Sequence, residues 1–287
     1  MFVIIGYVVV IFSVFGGFMM AGGHLAALLQ PIELLMIGGA AFGAFLVGND
    51  MKTIKATVAA LPTVLAPSSY SKALYLDLLA MMFEFLTKIR KDGMMAIEKD
   101  VENPENSAIF TKYPKIMKDH HLMDFLCDYL RMMLSGNMEP FQIENLMDID
   151  IETHHNEGHA VCHAIAKMAD GMPAFGIVAA VMGVVHTMSS VGQVSNNELG
   201  VMIAHALVGT FLGILLCYGF VGPLSTILEQ KLNESTKMLQ TAKIILLASL
   251  NGYAPTIAVE FGRKVLNSTE RPEFLELEEY IKGAKTR

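Results

Sequence analysis

Positively charged residues are confined to two blocks of the chain, and long apolar runs occupy the segments before and between them. All 21 lysines and arginines lie from Lys52 to Lys167 or from Lys231 to Arg287, so residues 1–51 and 168–230 contain none. The two cation-free segments hold apolar runs at residues 1–20, 32–48, 172–191 and 199–223. An α-helix needs about 20 residues to cross roughly 30 Å of hydrocarbon. The pattern therefore predicts four transmembrane helices, of which the last two form a hairpin.

The polar segments have a helical period and no persistent strand pattern, so the predicted fold class is all-α. Apolar residues recur at helical spacing over residues 70–90, 123–134, 141–166 and 225–250. In the first of these stretches a single face carries Leu74, Leu78, Met81, Met82 and Phe85. The predicted domains are transmembrane helices 1 and 2 (1–49), a cytoplasmic helical domain (50–169), transmembrane helices 3 and 4 (170–225) and cytoplasmic C-terminal helices (226–287).

The lysines nearest the apolar runs predict the topology. Lys52, Lys55, Lys167 and Lys231 lie close to the ends of the runs, where positive charge marks the cytoplasmic side most reliably. Both cationic blocks are therefore expected in the cytoplasm. Two spans precede the first block, which places the N-terminus in the cytoplasm together with the C-terminus.

Composition excludes several classes of protein. The 287 residues are 53% hydrophobic, with a mean hydropathy of +0.46, which is too apolar for an ordinary soluble domain. A net charge of −7 without a basic surface stretch argues against nucleic acid as a partner. Three cysteines without a C-x-x-C pair argue against a disulfide framework. No catalytic or nucleotide-binding motif is present, so we expect no enzyme and no cofactor.

The one cluster of metal-ligand type is a run of histidines before the third span. His155, His159 and His163 share a helix face, and histidines four residues apart can bind zinc. The stretch lacks an obvious second shell of carboxylates, and we expect no bound metal.

An ion path through a membrane usually needs an ionisable group at membrane depth. The middles of the four spans contain no carboxylate, because Glu33, Asp170, Glu198 and Glu229 all lie near span ends. His186 and His205 are placed toward the external ends of spans 3 and 4. If ions cross here, the carboxylate that carries them is expected to come from another chain.

Small residues form a stripe along each arm of the hairpin, at the spacing of one helix face. The stripes are Gly176, Ala180, Gly183 and Thr187 on the third span, and Ala206, Thr210, Gly213 and Cys217 on the fourth. Small stripes allow close helix contact in lipid. They either pack the two arms together or face a partner or water, and the threonine on each stripe favours the second interpretation.

Several segments together resemble the A subunit of the bacterial flagellar motor stator, the MotA/PomA family. They are GGFMMAGGHLAALLQPIELLMIGGAAFGAFLVGN near the start, the spans MPAFGIVAAVMGVVH and LVGTFLGILLCYGF, and NGYAPTIAVEFGRK followed by ERPEFLELEEYI near the end. The resemblance covers nearly the whole chain. It implies a multi-pass protein of the bacterial inner membrane that converts ion flow into flagellar rotation.

The resemblance also implies the partners. About five A subunits are expected around a dimer of a MotB-type B subunit, whose membrane helix carries the ion-binding aspartate. The cytoplasmic part is expected to push a rotor switch-complex protein of the FliG type. By this resemblance Arg90 and Glu98 contact the rotor, although by pattern alone they belong to an ordinary solvated helix end.

Two prolines and two small residues match further positions of the family. Pro173 and Pro223 are expected to couple the membrane hairpin to the cytoplasmic domain, although a proline in the first turn of a helix is also simply tolerated. Thr210 matches a hydroxyl that faces the aspartate of the B subunit. Sodium-type members carry threonine where Ala180 stands, so the permeating ion is expected to be a proton, which needs no cage of oxygen ligands.

The remaining interpretations are a non-conducting membrane scaffold and an energy transducer of the ExbB/TolQ type. The transducers share the two-helix core and the arrangement of five subunits around two. They have three spans and an external N-terminus, whereas four spans are predicted here.

Overall fold

The computed structural model describes residues 2–136 and 138–284, and within these the regular elements are helices. In chain order they are α1 (Phe2–Ile11, π-helical Phe12–Gly16, Gly17–Met20), α2 (Pro31–Gly48), α3 (Met51–Leu65), α4 (Lys72–Asp92), α5 (Glu98–Glu102), α6 (Pro114–Met117), α7 (His120–Ser135), α8 (Pro140–Ser189), α9 (Asn196–Ile214, π-helical Leu215–Val221, Gly222–Leu250), α10 (Pro255–Val265) and α11 (Phe274–Ala284). The all-α prediction is confirmed.

Within the described residues, four helices are long and apolar enough to span a membrane, as predicted. The qualifying segments are Val3–Met20, Pro31–Gly48, Pro140–Ser189 and Asn196–Leu250. The polar break between the third and fourth is also confirmed, since α8 ends at Ser189 and α9 begins at Asn196.

Side-chain caps explain where several helices begin. The Asp50 carboxylate accepts a hydrogen bond from the Thr53 amide at 2.8 Å and starts α3. Ser195 starts α9 through a capping box, in which the Glu198 carboxylate accepts from the Ser195 amide at 2.8 Å. A cap of this kind satisfies amide donors that would otherwise lack partners at the helix start.

The described chain forms two compact units. Of the described residues, the first unit comprises 2–67 and 157–230, and the second comprises 68–136, 138–156 and 231–284. The limits of these two units reflect which parts of the chain pack against each other. The domain limits predicted from the sequence mark where the chain is expected to leave the bilayer, and they stay a prediction.

The second unit is built around α4. Its predicted apolar face is confirmed as core, because Leu78, Met81, Met82 and Phe85 are completely buried and Leu74 is 4% exposed. Aromatic packing extends this core, with the rings of Phe85 and Phe110 4.7 Å apart.

Pro173 does not stand at the start of a helix, contrary to the prediction. We expected it in the first turn of the third span, where the missing N–H of a proline costs nothing. Instead it stands deep inside α8, which is an unbroken helix of 50 residues. A proline there removes one internal hydrogen bond, so mere tolerance at a helix start does not explain it.

Candidate functional site

The hairpin of α8 and α9 is held together by direct contact between the two backbones. A Cβ atom built on Gly213 would lie 2.6 Å from the carbonyl oxygen of Met172 and 3.0 Å from the Cα of Gly176. A Cβ atom on Gly176 would lie 2.7 Å from the carbonyl oxygen of Gly209. Real Cβ atoms essentially never come so close to backbone atoms, so both positions require glycine. The helices therefore meet at their closest near Pro173, whose Cα is 3.2 Å from the same built Cβ on Gly213.

A second close contact lies nearer the connection between the helices. A Cβ on Gly183 would be 2.7 Å from the Cβ of Ala206, which is 1% exposed. Gly176, Gly183, Ala206 and Gly213 thus lie between α8 and α9. Packing of the two arms within this chain explains their small size, and their predicted role toward the B subunit stays a prediction.

The other stripe residues divide between buried and partly open positions. Ala180 and Thr210 are each half-buried. Thr187 is only 1% exposed, and its hydroxyl donates to the carbonyl oxygen of Gly183 at 2.9 Å. That hydroxyl is already satisfied within its own helix. Ala180 and Thr210, like Gly183, remain partly accessible.

Glu33 reaches the middle of this hairpin, which the sequence did not reveal. It lies in the first turn of α2 and is only 7% exposed. A Cβ built on Gly209 would lie 2.8 Å from its Oε2 atom and 3.2 Å from the amide nitrogen of Ala180. Gly209 is about 20 Å along α9 from Asn196, at 1.5 Å per residue. Glu33 therefore lies at the end of its own span, as the sequence predicted, and yet its carboxylate faces Gly209 in the interior of α9.

Pro223 follows a widened stretch of α9. The segment Leu215–Val221 is π-helical, and a π-turn is a frequent feature of functional sites. The carbonyl of Phe220 in this segment accepts a hydrogen bond from the Tyr7 hydroxyl at 2.9 Å, which ties α1 to it. A proline cannot donate to the preceding turn, and the π-helical turns accommodate that loss.

A pocket of about 620 Å³ lies beside Pro223 in the first unit. Two carboxylates line it, Asp170 from α8 and Glu229 from α9, together with the exposed side chain of Tyr218. The buried Ser225 hydroxyl donates to the carbonyl oxygen of Cys162 at 2.8 Å and fixes the two helices there. Of the two predicted coupling prolines, Pro223 lines this acidic pocket.

Arg90 and Glu98 belong to the second unit and are both exposed. Arg90 is in the last turn of α4, and Glu98 begins α5. Neither makes an ion pair within the described residues. Asp100, two residues after Glu98, is 6% exposed and accepts hydrogen bonds from Lys88 at 2.6 Å and from Ser107 at 2.7 Å, so it ties the end of α4 to α5. Arg90 and Glu98 are thus exposed charged side chains without an ion-pair partner among the described residues. Their contact with the rotor stays a prediction.

The histidines before the third span hydrogen-bond to hydroxyls or stack. His154 contacts the Ser235 hydroxyl at 3.0 Å, and His155 contacts that of Thr236 at 3.2 Å. The rings of His159 and His163 are 6.1 Å apart and stacked. Among the described residues, no group of three or more His, Cys, Asp or Glu side chains could hold a metal ion.

Two family models match the chain. The model described as motility protein A N-terminal matches residues 4–93, and that of the MotA/TolQ/ExbB proton channel family matches residues 117–241. The chain is 55% identical to motility protein A of Salmonella typhimurium over 285 residues, which cover 99% of this chain and 96% of the relative. It is 33% identical to chemotaxis protein LafT of Vibrio parahaemolyticus, over 96% of this chain and 97% of that protein.

Solved structures share the fold. The flagellar MotAB stator complex of Bacillus subtilis includes a chain that matches with a TM-score of 0.78 at 22% identity, over 96% of this chain and all of that one. A chain of the MotAB structure from C. jejuni matches with the same TM-score at 19% identity, over 95% of this chain and 98% of that one.

Proposed function

The chain belongs to the motility protein A family, and from that premise we propose that it is the stator subunit that turns a proton current into rotation of a bacterial flagellum. The observation that carries the proposal is the 55% identity to a motility protein A over 99% of the chain. The four membrane-spanning helices fit it, whereas the ExbB/TolQ transducers of the alternative interpretation have three.

The proposed assembly places about five copies of this chain around a dimer of a MotB-type subunit in the inner membrane. The B helices bring the aspartate that binds the ion, and Ala180 and Thr210 face it. These two residues support the assignment because both stay half-buried within this chain, so a partner can still contact them. In this assembly the chain acts as a channel subunit and not as an enzyme.

The proposed ion is the proton. A sodium ion exchanges its water for oxygen ligands, so a hydroxyl on each helix would be needed beside the carboxylate. Only Thr210 offers one at this level, because alanine occupies position 180. Thr187 cannot take its place, since it lies about two turns away and its hydroxyl donates within its own helix.

The proposed output is a push on a FliG-type rotor protein by Arg90 and Glu98. Both termini and both cationic blocks lie in the cytoplasm in this proposal, because lysines flank the spans on that side. Pro173 and Pro223 transmit movement of the hairpin. Their support is the placement of Pro173 at the closest backbone contact and of Pro223 directly after the π-helical segment.

Deletion of the gene tests the proposal. Cells without it are expected to build normal filaments that do not rotate, and the wild-type chain supplied from a plasmid restores swimming. Microscopy of the filaments and tracking of the cells measure both. Missing filaments, or unimpaired swimming when no other stator A subunit is present, would contradict the proposal.

A further inference from the structure

The buried Glu33 is left unexplained by the proposed assembly, which assigns ion binding to a carboxylate of another chain. Its side chain is 93% shielded from solvent, and Oε2 has no hydrogen-bond partner within the described part of the chain. Buried polar atoms are nearly always hydrogen-bonded, and one that is not calls for an explanation such as a functional role.

The space around the carboxylate is shaped by small residues. Gly209 of α9 faces Oε2, and a single added Cβ there would lie 2.8 Å from that atom. The same built atom would be 3.2 Å from the Cβ of Ala179 and 3.2 Å from the nitrogen of Ala180 on α8. The carboxylate therefore occupies a place that glycine keeps open, at the level of Ala180 and of Thr210, the neighbour of Gly209.

No positive charge of this chain is available to the carboxylate in the membrane. Residues 1–51 and 168–230 contain no lysine or arginine. An ionised carboxylate in an apolar interior is costly unless it is paired. The group must therefore take its neutralising charge from outside the four spans, as a mobile ion or from another chain.

The titratable side chains that accompany Glu33 in the two cation-free segments include no lysine or arginine. They are Tyr7, His24 and Asp50 in residues 1–51, and Asp170, His186, Glu198, His205, Cys217, Tyr218 and Glu229 in residues 168–230. His205 stands one helical turn before Gly209, toward the start of α9. None of these side chains hydrogen-bonds to Glu33 in the described structure, so none supplies a fixed partner.

We propose that Glu33 is a proton-binding carboxylate of this chain, and that it relays protons between external water and the aspartate of the B subunit. This inference rests on the proposed function. The position of α2 supports it, because the helix begins on the predicted external side while Glu33 in its first turn lies against Gly209, 13 residues beyond the start of α9. In each relay step, one O–H bond forms on the carboxylate as a hydronium O–H breaks, and the new O–H then breaks as the proton passes to the aspartate.

The experiment compares Glu33→Gln, Glu33→Asp and the control Glu198→Gln in the complete stator complex. Gln keeps the size of the side chain but cannot exchange a proton, whereas Asp keeps the carboxyl group. Glu198 is the exposed capping carboxylate of the hairpin, and glutamine is accepted at that capping position. Proton conductance is read from the rate of cytoplasmic acidification after an external acid pulse.

Glu33→Gln is expected to lower the conductance by roughly 100-fold, the low end of what a positioned proton-transfer group contributes. Glu33→Asp is expected to retain part of it, and Glu198→Gln all of it. The infrared difference spectrum between high and low pH is expected to lose one carboxyl band in Glu33→Gln, which a merely structural role would not cause. Wild-type conductance and an unchanged carboxyl spectrum in Glu33→Gln would overturn the proposal.

Two further outcomes remain decisive. If Glu33→Gln does not accumulate in the membrane, the infrared difference spectra of wild type and Glu33→Asp test the proposal instead. We expect one carboxyl band to shift in frequency between these two proteins. Identical spectra would overturn the inference. If the wild-type complex neither conducts nor drives rotation, the proposed function fails as well, whereas a conducting wild type with a fully conducting Glu33→Gln removes only the relay.

Discussion

The closest contact in the hairpin makes Gly213→Ala the sharpest test of the packing. The new Cβ would lie 2.6 Å from the carbonyl oxygen of Met172, whereas ordinary contacts begin at 3.4 Å. Both atoms are fixed by backbone, so the helices must separate by about 0.8 Å, the difference between these two distances. Overpacking of this kind costs roughly 1–3 kcal/mol. Alanine is more favourable than glycine in a helix by about 1 kcal/mol, so the net loss of folding stability is up to about 2 kcal/mol.

Gly200→Ala is the matched control on the same helix. A Cβ there meets nothing within 4 Å, so only the gain in helix propensity remains, at most about 1 kcal/mol. The assay is the thermal unfolding midpoint of the detergent-purified complex, followed by circular dichroism. Gly213→Ala is expected below wild type and Gly200→Ala at or above it. A Gly213→Ala midpoint equal to that of Gly200→Ala would refute the close backbone contact.

Three further predictions concern coupling, rotor contact and a buried thiol. Pro173→Ala and Pro223→Ala each restore a backbone N–H donor to the helix, so the amount of this protein in the membrane is expected to stay at the wild-type level. Swimming speed is expected to fall because the coupling is lost. Full motility of both variants would contradict the coupling role. Reversing Arg90 or Glu98 slows swimming, and a compensating reversal on the rotor restores part of it. A single exposed ion pair contributes only about 0–1 kcal/mol, so the loss of one pair has a small effect and the decisive variant combines Arg90→Glu with Glu98→Lys. Normal swimming of that double variant with an unaltered rotor would refute the contact. Burial raises the pKa of the Cys127 thiol to about 11, so at pH 7 maleimide is expected to label it roughly 100-fold more slowly than an exposed thiol. Unfolding the protein is expected to remove this difference in labelling rate. Fast labelling of Cys127 in the folded protein would contradict the prediction.

The fold could be predicted from the sequence because its signals are local. The apolar runs and the gaps in positive charge indicate four spans, and the periodicity of residues 70–90 identified five core residues of α4 correctly. A helix needs only its own hydrogen bonds, so such patterns suffice to locate it.

The site was less predictable, because it depends on how far neighbouring helices are displaced along their axes. Gly39 and Gly43 form a G-x-x-x-G pair in α2, yet a Cβ on either meets nothing within 4 Å. Gly209 and Gly213 make the close contacts instead. Glu33 lies at the start of its own helix, and only the offset of α2 against α9 brings its carboxylate against Gly209.

Pro173 shows the same limit. A proline beside an apolar run suggests the start of a helix. The helical period of residues 141–166 predicts a helix before Pro173, but not that this helix and the third span form one continuous α8. The contact of Pro173 with Gly213 is set by the partner helix, which residue spacing along α8 does not encode.

The most direct test of the central claim is the speed of single motors that contain this chain as their only stator A subunit. We predict that speed follows the proton-motive force and does not change when sodium is replaced by potassium at constant pH. A speed that rises and saturates with external sodium would contradict proton coupling, and motors that do not turn at all would contradict the assignment as a stator.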